Sequence, residues 1–207
     1  MKQGDYFSKR QKIYLPFKFF LDSFFALVFL ILLSPFLFLI CIFVWIDTKA
    51  FPIFRQKRIG KNNKEFLILK FRSMNKNTPK DVPTHLLENP NDYISNFGKF
   101  LRKSSIDEIP QLFNILVGQM SFIGPRPALW NQNDLIEGRK IAHVDSLRPG
   151  LSGWAQCNGR DDIEIKEKIN FDIEYLHKFN IWFDIKVFTF SIINAITGKD
   201  VVEGKQS

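Results

Sequence analysis

Hydrophobic positions are spread very unevenly along this chain. From Phe24 to Ile46 the run FFALVFLILLSPFLFLICIFVWI carries no charge, and only Ser34 and Pro35 interrupt it. An uncharged stretch of that length predicts a membrane helix rather than a core helix. Proline gives no N–H to the helical ladder and crowds the preceding turn, so a helix through Ser34-Pro35 must kink or break. Basic residues flank both ends: Lys2, Lys9, Arg10, Lys12 and Lys18 before the run, Lys49, Arg55, Lys57, Arg58 and Lys61 after it. Basic flanks favour the cytoplasmic side, so neither end is marked for export. A break would leave two arms of about ten residues, each roughly 15 Å long. Each would reach about the middle of a hydrocarbon core of roughly 30 Å. Two readings stand: a re-entrant hairpin that enters and leaves on the cytoplasmic face, and one spanning helix with a tolerated proline.

Outside the run the pattern is that of a soluble domain. Residues 5–23 mix bases with aromatics and predict a basic juxtamembrane leader. Residues 50–59 alternate, residues 60–64 (GKNNK) form a turn, and residues 65–74 read as a strand with a buried first half. Residues two apart on a strand share a face, so Lys70 and Arg72 project together. Two cations on one face suit a phosphate as well as they suit a solvated strand end. Residues 75–96, with three prolines and His85, predict a long loop whose histidine is surface. Residues 112–117 predict a helix stopped by Gly118. Ile165, Ile169, Ile173 and Leu176 recur at helical spacing, and a second apolar-rich segment, 182–196, would pack on the domain or on a membrane surface.

Composition narrows the classes. The chain has 207 residues, and without its apolar run it has room for one soluble domain. The division is residues 1–48 for the leader and membrane element, and 49–207 for the domain. A net charge of +8 with a pI near 9.5 calls for an anionic partner, whether nucleic acid, acidic headgroups or a phosphorylated substrate. The bases are scattered and form no recognised nucleic-acid module. Cys41 lies in the apolar run and Cys157 in a polar loop, which implies no disulfide framework. A cleavable signal is not expected, because the run outlasts an ordinary signal core and ends without a small-residue cleavage site.

Three segments carry candidate chemistry. In SSIDEIPQ, residues 105–108 match a capping box, and acids at a helix start are stabilising without any catalysis. The neighbouring acids Asp107 and Glu108, with Arg102 and Lys103 just upstream, also suit a phosphate site. In GPRP, Pro125 and Pro127 fix the backbone on both sides of Arg126, a stiff mount for a guanidinium that recognises phosphate oxygens. In RPGLSGWAQCNGR, Arg148 and Arg160 bracket three glycines and Trp154. That segment reads either as a well-packed turn region or as a nucleotide-phosphate site.

Taken together and in this order, SPFLF, LKFRSM, SSIDEIPQLFNILVGQMSFIGPRP and RPGLSGWAQCNGR resemble the bacterial sugar transferase family. More narrowly they resemble its small monotopic polyprenol-phosphate phosphoglycosyl transferases, over nearly the whole chain. The resemblance implies a proline-broken re-entrant anchor and one compact α/β catalytic domain with interfacial amphipathic helices. It places them on the cytoplasmic face of the bacterial inner membrane. It also implies transfer of a sugar 1-phosphate from a UDP-sugar to a polyprenol phosphate such as undecaprenyl phosphate, with release of UMP. By similarity Asp107 is the nucleophile and Glu108 its dyad partner, and the two acids are the ligands of Mg²⁺. Lys70, Arg72, Arg126, Arg148 and Arg160 are then the cations available to the diphosphate. Partners implied are the donor, the lipid acceptor and membrane lipids, with no nucleic acid and a homodimer allowed. The rival reading is a basic membrane-anchored protein that binds anionic lipid without catalysis.

Overall fold

A single long helix opens the computed structural model, which describes residues 6–76, 78, 93–159 and 163–197. Helix α1 runs Lys9–Thr48, 40 residues, or about 60 Å at helical rise. Ser8 caps it: Ser8 Oγ accepts from the Gln11 N–H at 3.3 Å, and the Gln11 side chain accepts from the Ser8 N–H at 2.9 Å. The juxtamembrane leader is therefore helical from Lys9 on, and much of it is engaged by the domain. Gln11 Nε2 donates to the Leu176 carbonyl at 2.9 Å, and Lys18 Nζ pairs with Asp184 at 2.7 Å.

The helix also continues through Ser34-Pro35, with Pro16 and Pro35 both inside it. The Ile31 carbonyl is the one that an N–H at position 35 would have taken. Ser34 Oγ donates to that carbonyl at 2.8 Å, so the serine supplies the hydrogen bond its neighbour lacks. One face of α1 is buried through Ala26, Leu30, Ile40 and Val44, while Phe24, Phe36, Phe38, Leu39, Trp45 and Ile46 on its other faces are exposed. Among the described residues α1 is the one helix long and apolar enough to cross a membrane. An apolar face this extended is not that of a soluble core helix.

Strands β1 (Ile53–Ile59) and β2 (Glu65–Phe71) form an antiparallel hairpin, in register from Ile53↔Phe71 to Ile59↔Glu65. Asn62 and Asn63, both in the left-handed region that asparagine tolerates, turn the chain. The short strand β4 (Ala128–Leu129) joins the other edge of β1, which gives the order β2-β1-β4. A separate parallel pair joins β3 (Ser121–Ile123) to β5 (Gly150–Ser152).

β2 is thus an edge strand, and its outer backbone groups need partners. Asn114, on helix α3 (Gln111–Leu116), supplies them: its Oδ1 accepts from the Leu69 N–H at 3.0 Å and its Nδ2 donates to the Leu67 carbonyl at 2.8 Å. The buried amide acts as one more residue of sheet, and it fixes α3 against β2.

Helix α2 (Asn96–Lys103) is capped by Ser95, and α4 (Asn133–Ile141), α5 (Trp154–Gly159), α6 (Ile165–Lys178) and α7 (Ile181–Thr197) follow. Ala26 and Leu30 of α1 pack with Phe66, Ile68, Leu112, Ile115 and Met120; Ile40 and Val44 pack with Phe71 and Leu101. A third cluster joins Ile123, Val144, Tyr175, Phe179 and Val187. Asp184 ties α7 inward by accepting from Tyr14, Lys18 and Tyr175, each at 2.7 Å, while Trp182, Ile185 and Phe188 face outward.

The glycines of residues 148–160 serve packing, the plainer of the two readings. A Cβ on Gly150 would lie 2.2 Å from the Gly124 nitrogen, and one on Gly153 2.2 Å from the Gly124 oxygen. They let two backbones touch. Trp154 packs against Phe183 and donates to Glu174 at 2.7 Å. The predicted loop at 75–96, with His85, falls largely outside the described residues, and Arg160 falls outside them.

Replacing Asn114 by Leu strands the Leu69 N–H and the Leu67 carbonyl. Urea unfolding of the detergent-solubilised protein should show a loss of about 2–4 kcal/mol. Lys178→Met, which breaks an exposed pair with Glu174, should stay within about 0.5 kcal/mol.

Candidate active site

The acid pair sits on a tight turn built to present it. Ser105 has φ 55°, and the 3-10 turn Ile106–Glu108 follows directly. Ser105 makes no side-chain cap bond, so the capping-box reading does not hold in three dimensions. The left-handed residue turns the chain where a cap would have extended it, and Pro110 then leads into α3. Asp107 is buried. Glu108 lies beside it with a side chain that keeps 18% of its exposure.

Two cations from distant segments converge on Glu108. Lys70 Nζ, near the end of β2, donates to Oε1 at 2.6 Å, and Arg126 Nη2 donates to the same oxygen at 3.1 Å. Burial alone would raise the Glu108 carboxyl, but Lys70 and Arg126 beside it hold it well below the usual carboxylate range. Asp107 goes the other way. Burial pushes it up to about 6, against the pull of Lys70 and with the help of the Glu108 charge; Arg102 and Arg126 draw it back only in part. No hydrogen bond to the Asp107 carboxylate is found among the described residues. Neighbouring acids whose environments drive their proton affinities apart have different roles. Here Glu108 is a fixed anion inside an ion triad, and Asp107 is a more basic carboxylate with free oxygens.

The Arg126 mount is stiffer than its two prolines require. The three successive carbonyls of its loop are each taken from outside: Pro125 by the Gly150 N–H at 2.9 Å, Arg126 by Arg139 Nη1 at 2.7 Å, and Pro127 by Arg58 Nη1 at 3.0 Å. Arg139 is itself buried and paired with Asp172 through Nε at 2.9 Å and Nη2 at 2.6 Å. In the sequence Arg58 has only a place in the basic flank, and neither Arg139 nor Asn114 is marked. No local pattern shows their roles, since each acts on backbone far away in the chain. Arg102, upstream of the acids, lies within electrostatic reach of Asp107 while its Nη1 contacts Met74 Sδ at 3.4 Å.

Of the cations expected to gather, the structure brings together Lys70 and Arg126. Arg72 lies beyond the end of β2, with Nε donating to the Phe51 carbonyl at 2.9 Å and its guanidinium over Phe54. The alternation that would have placed it beside Lys70 stops with the strand at Phe71. Arg148 stacks on Phe19 of α1, 3.6 Å from the ring centre, beside Gly118 at the opposite end of α3 from the acids.

Among the described residues no group of three His, Cys, Asp or Glu converges as a metal cage. Magnesium needs no such cage: one or two carboxylates suffice when phosphates and waters complete its octahedron. The free oxygens of Asp107 and Glu108 fit that donor set. Two adjacent carboxylates of unequal proton affinity beside a lysine and a rigid arginine have the chemistry to hold a phosphate and to attack it.

Comparisons with known proteins place nearly the whole described fold, site included, within one family. The family model described as "Bacterial sugar transferase" matches residues 13–198. The chain is 37% identical to the UDP-glucose:undecaprenyl-phosphate glucose-1-phosphate transferase of Escherichia coli K12, covering 86% of this chain and 40% of that protein. It is 38% identical to the Klebsiella pneumoniae protein of the same name, covering 82% and 38%. To the UDP-N-acetylgalactosamine-undecaprenyl-phosphate N-acetylgalactosaminephosphotransferase of Aeromonas hydrophila it is 34% identical, covering 86% and 43%. The chain thus spans about two fifths of the length of these relatives, and the residues matched by the family model include most of α1, the acid pair and the arginine loop. With the family model matched from the second turn of α1 to the end of α7, this chain belongs to the bacterial sugar transferase family.

Proposed function

We propose that this chain transfers a sugar 1-phosphate from a UDP-sugar to undecaprenyl phosphate, releasing UMP. The observation that carries the reading is the unequal acid pair: Glu108 clamped by Lys70 and Arg126, Asp107 unclamped and basic. The relatives named above share a UDP-sugar donor and an undecaprenyl-phosphate acceptor, and that common chemistry is what we assign.

In this mechanism an Asp107 oxygen attacks the phosphorus that bears the sugar. The phosphoanhydride bond breaks, and its electrons leave on UMP. The aspartyl-phosphosugar that remains is attacked by a phosphate oxygen of the lipid acceptor. The bond to Asp107 breaks and returns the carboxylate, and the product is a polyprenyl diphosphosugar. Both displacements bring anion against anion, and Lys70 and Arg126 offset that repulsion. Glu108, kept ionised, holds these cations in position before the diphosphate arrives. Bound magnesium, with Asp107 and Glu108 as its protein ligands, would neutralise charge on the diphosphate.

We further propose that α1 is a re-entrant anchor on the cytoplasmic face of the inner membrane, with α7 resting at the interface. Both flanks of the apolar run are basic, and both ends of α1 rest on the same domain, through Gln11 and Lys18 at one end and Ile40 and Val44 at the other. That arrangement favours a helix that returns over one that leaves. Residues 1–48 would form the membrane element and 49–207 the catalytic unit.

Asp107→Asn should lower UMP release by at least about a thousandfold. It should also abolish covalent labelling by a donor carrying ³²P on the sugar-linked phosphate; retained labelling would refute the assignment. The same variant should melt no lower than the parent at pH 7.5, because a buried carboxylate with a raised pKa disfavours the folded state above that pKa. Activity requires the Asp107 anion, so the rate should fall below about pH 6 and level off above it. In the residual activity of Glu108→Gln that limb should move to lower pH, since a neighbouring negative charge has been removed. Cysteines placed at Lys9 and Lys49 should both be labelled from the cytoplasmic side only; periplasmic labelling at Lys49 would refute the re-entrant anchor.

A further inference from the structure

Lys61 and Arg148 meet at the membrane helix, far from the acid pair. The Arg148 guanidinium lies 3.6 Å from the centre of the Phe19 ring, and Lys61 Nζ approaches the same ring at 5.7 Å. The end of α3 walls the guanidinium in: a Cβ on Gly118 would come within 3.3 Å of Arg148 Nη2. Neither cation forms an ion pair or a side-chain hydrogen bond among the described residues. The carboxylate that acts on Arg148 is Asp22, but its oxygens are engaged by Ser121 Oγ at 2.6 Å and the Phe122 N–H at 3.4 Å. Two half-buried cations side by side, with no counter-ion in contact, are costly unless an anion completes the group. Burial and the neighbouring Arg148 lower the Lys61 pKa, and burial lowers that of Arg148.

We propose that Lys61, Arg148 and Phe19 seat the phosphate of an anionic phospholipid headgroup where α1 enters the bilayer. Depth along α1 selects the ligand. Phe19 precedes the uncharged run by little more than one turn, and the adjacent Phe20 and Phe24 are exposed. A phosphate at this level is a headgroup phosphate. Distance separates this seat from the reacting centre: Lys61 lies in the β1–β2 turn and Lys70 near the far end of β2, about 20 Å away at strand rise. No single phosphate reaches both. Interfacial Lys and Arg are drawn to anionic lipid, and an arginine stacked on an aromatic ring offers its in-plane donors to a phosphate.

This inference rests on α1 lying in a membrane, so the test separates the two. The full chain is floated with vesicles of phosphatidylcholine alone and with vesicles containing phosphatidylglycerol. Lipid adducts retained from equimolar mixed micelles are then counted by native mass spectrometry. The parent should float with both vesicles and retain phosphatidylglycerol about tenfold over phosphatidylcholine. Lys61→Gln and Arg148→Gln should each cut that preference about fivefold. Arg148→Lys, which keeps the charge but not the stacked planar donors, should keep only part of it, and Lys57→Gln should leave it unchanged. Should Arg148→Gln not fold, Lys61→Gln in the surface turn decides. Failure to float with either vesicle overturns the membrane reading and the seat with it. Flotation with both but equal retention of the two lipids overturns the seat alone. So does an undiminished preference in Lys61→Gln, or displacement of the lipid by millimolar inorganic phosphate, which would mark a site for soluble anions.

Discussion

Keeping two adjacent carboxylates out of water is costly, and the fold is arranged around that constraint. Each acid loses hydration, and each makes the other harder to ionise. The chain resolves the conflict unequally. Lys70 and Arg126 both point at one oxygen of Glu108, so that residue keeps its charge, while Asp107 is left with the higher proton affinity. The asymmetry turns a repulsive pair into one anchored anion and one carboxylate that holds its proton more tightly.

Holding that asymmetry requires three segments to keep station. Lys70 comes from an edge strand, the acids from a turn before α3, and Arg126 from a loop between two short strands. Asn114 joins the first two by completing the backbone of β2 from α3. The third is fixed by donors on its three carbonyls, one of them from Arg139, whose own charge is satisfied by Asp172. Proline removes donors from this loop, so its order comes from what other segments donate to it. The precision of the site rests on backbone groups capped by distant side chains.

Much of this could be read from the chain, where the signal was local. The uncharged run, the hairpin strand ending near Lys70, the short helix stopped by Gly118 and the paired acids all follow from spacing within one element. Arg126 between two prolines announced a rigid mount. What escaped was whatever depends on a partner remote in sequence. Arg72 was read as a neighbour of Lys70, but the strand ends at Phe71 and its guanidinium turns to the Phe51 carbonyl. The pattern at 105–108 matched a cap, yet a left-handed Ser105 uses the same residues to make a turn. Glycines that looked open to a ligand are occupied by another stretch of backbone, and the basic leader proved to be the first turns of the longest helix.

The serine before Pro35 has a consequence for motion in lipid. Bending a helix at proline ordinarily bares a carbonyl, and hydrocarbon offers nothing to cover it. Ser34 travels with the joint and reaches the Ile31 oxygen from one residue away, so that oxygen can stay covered while the angle between the two halves changes. A helix built this way has its own cover at the joint: a change of angle at Pro35 need not leave the Ile31 oxygen bare.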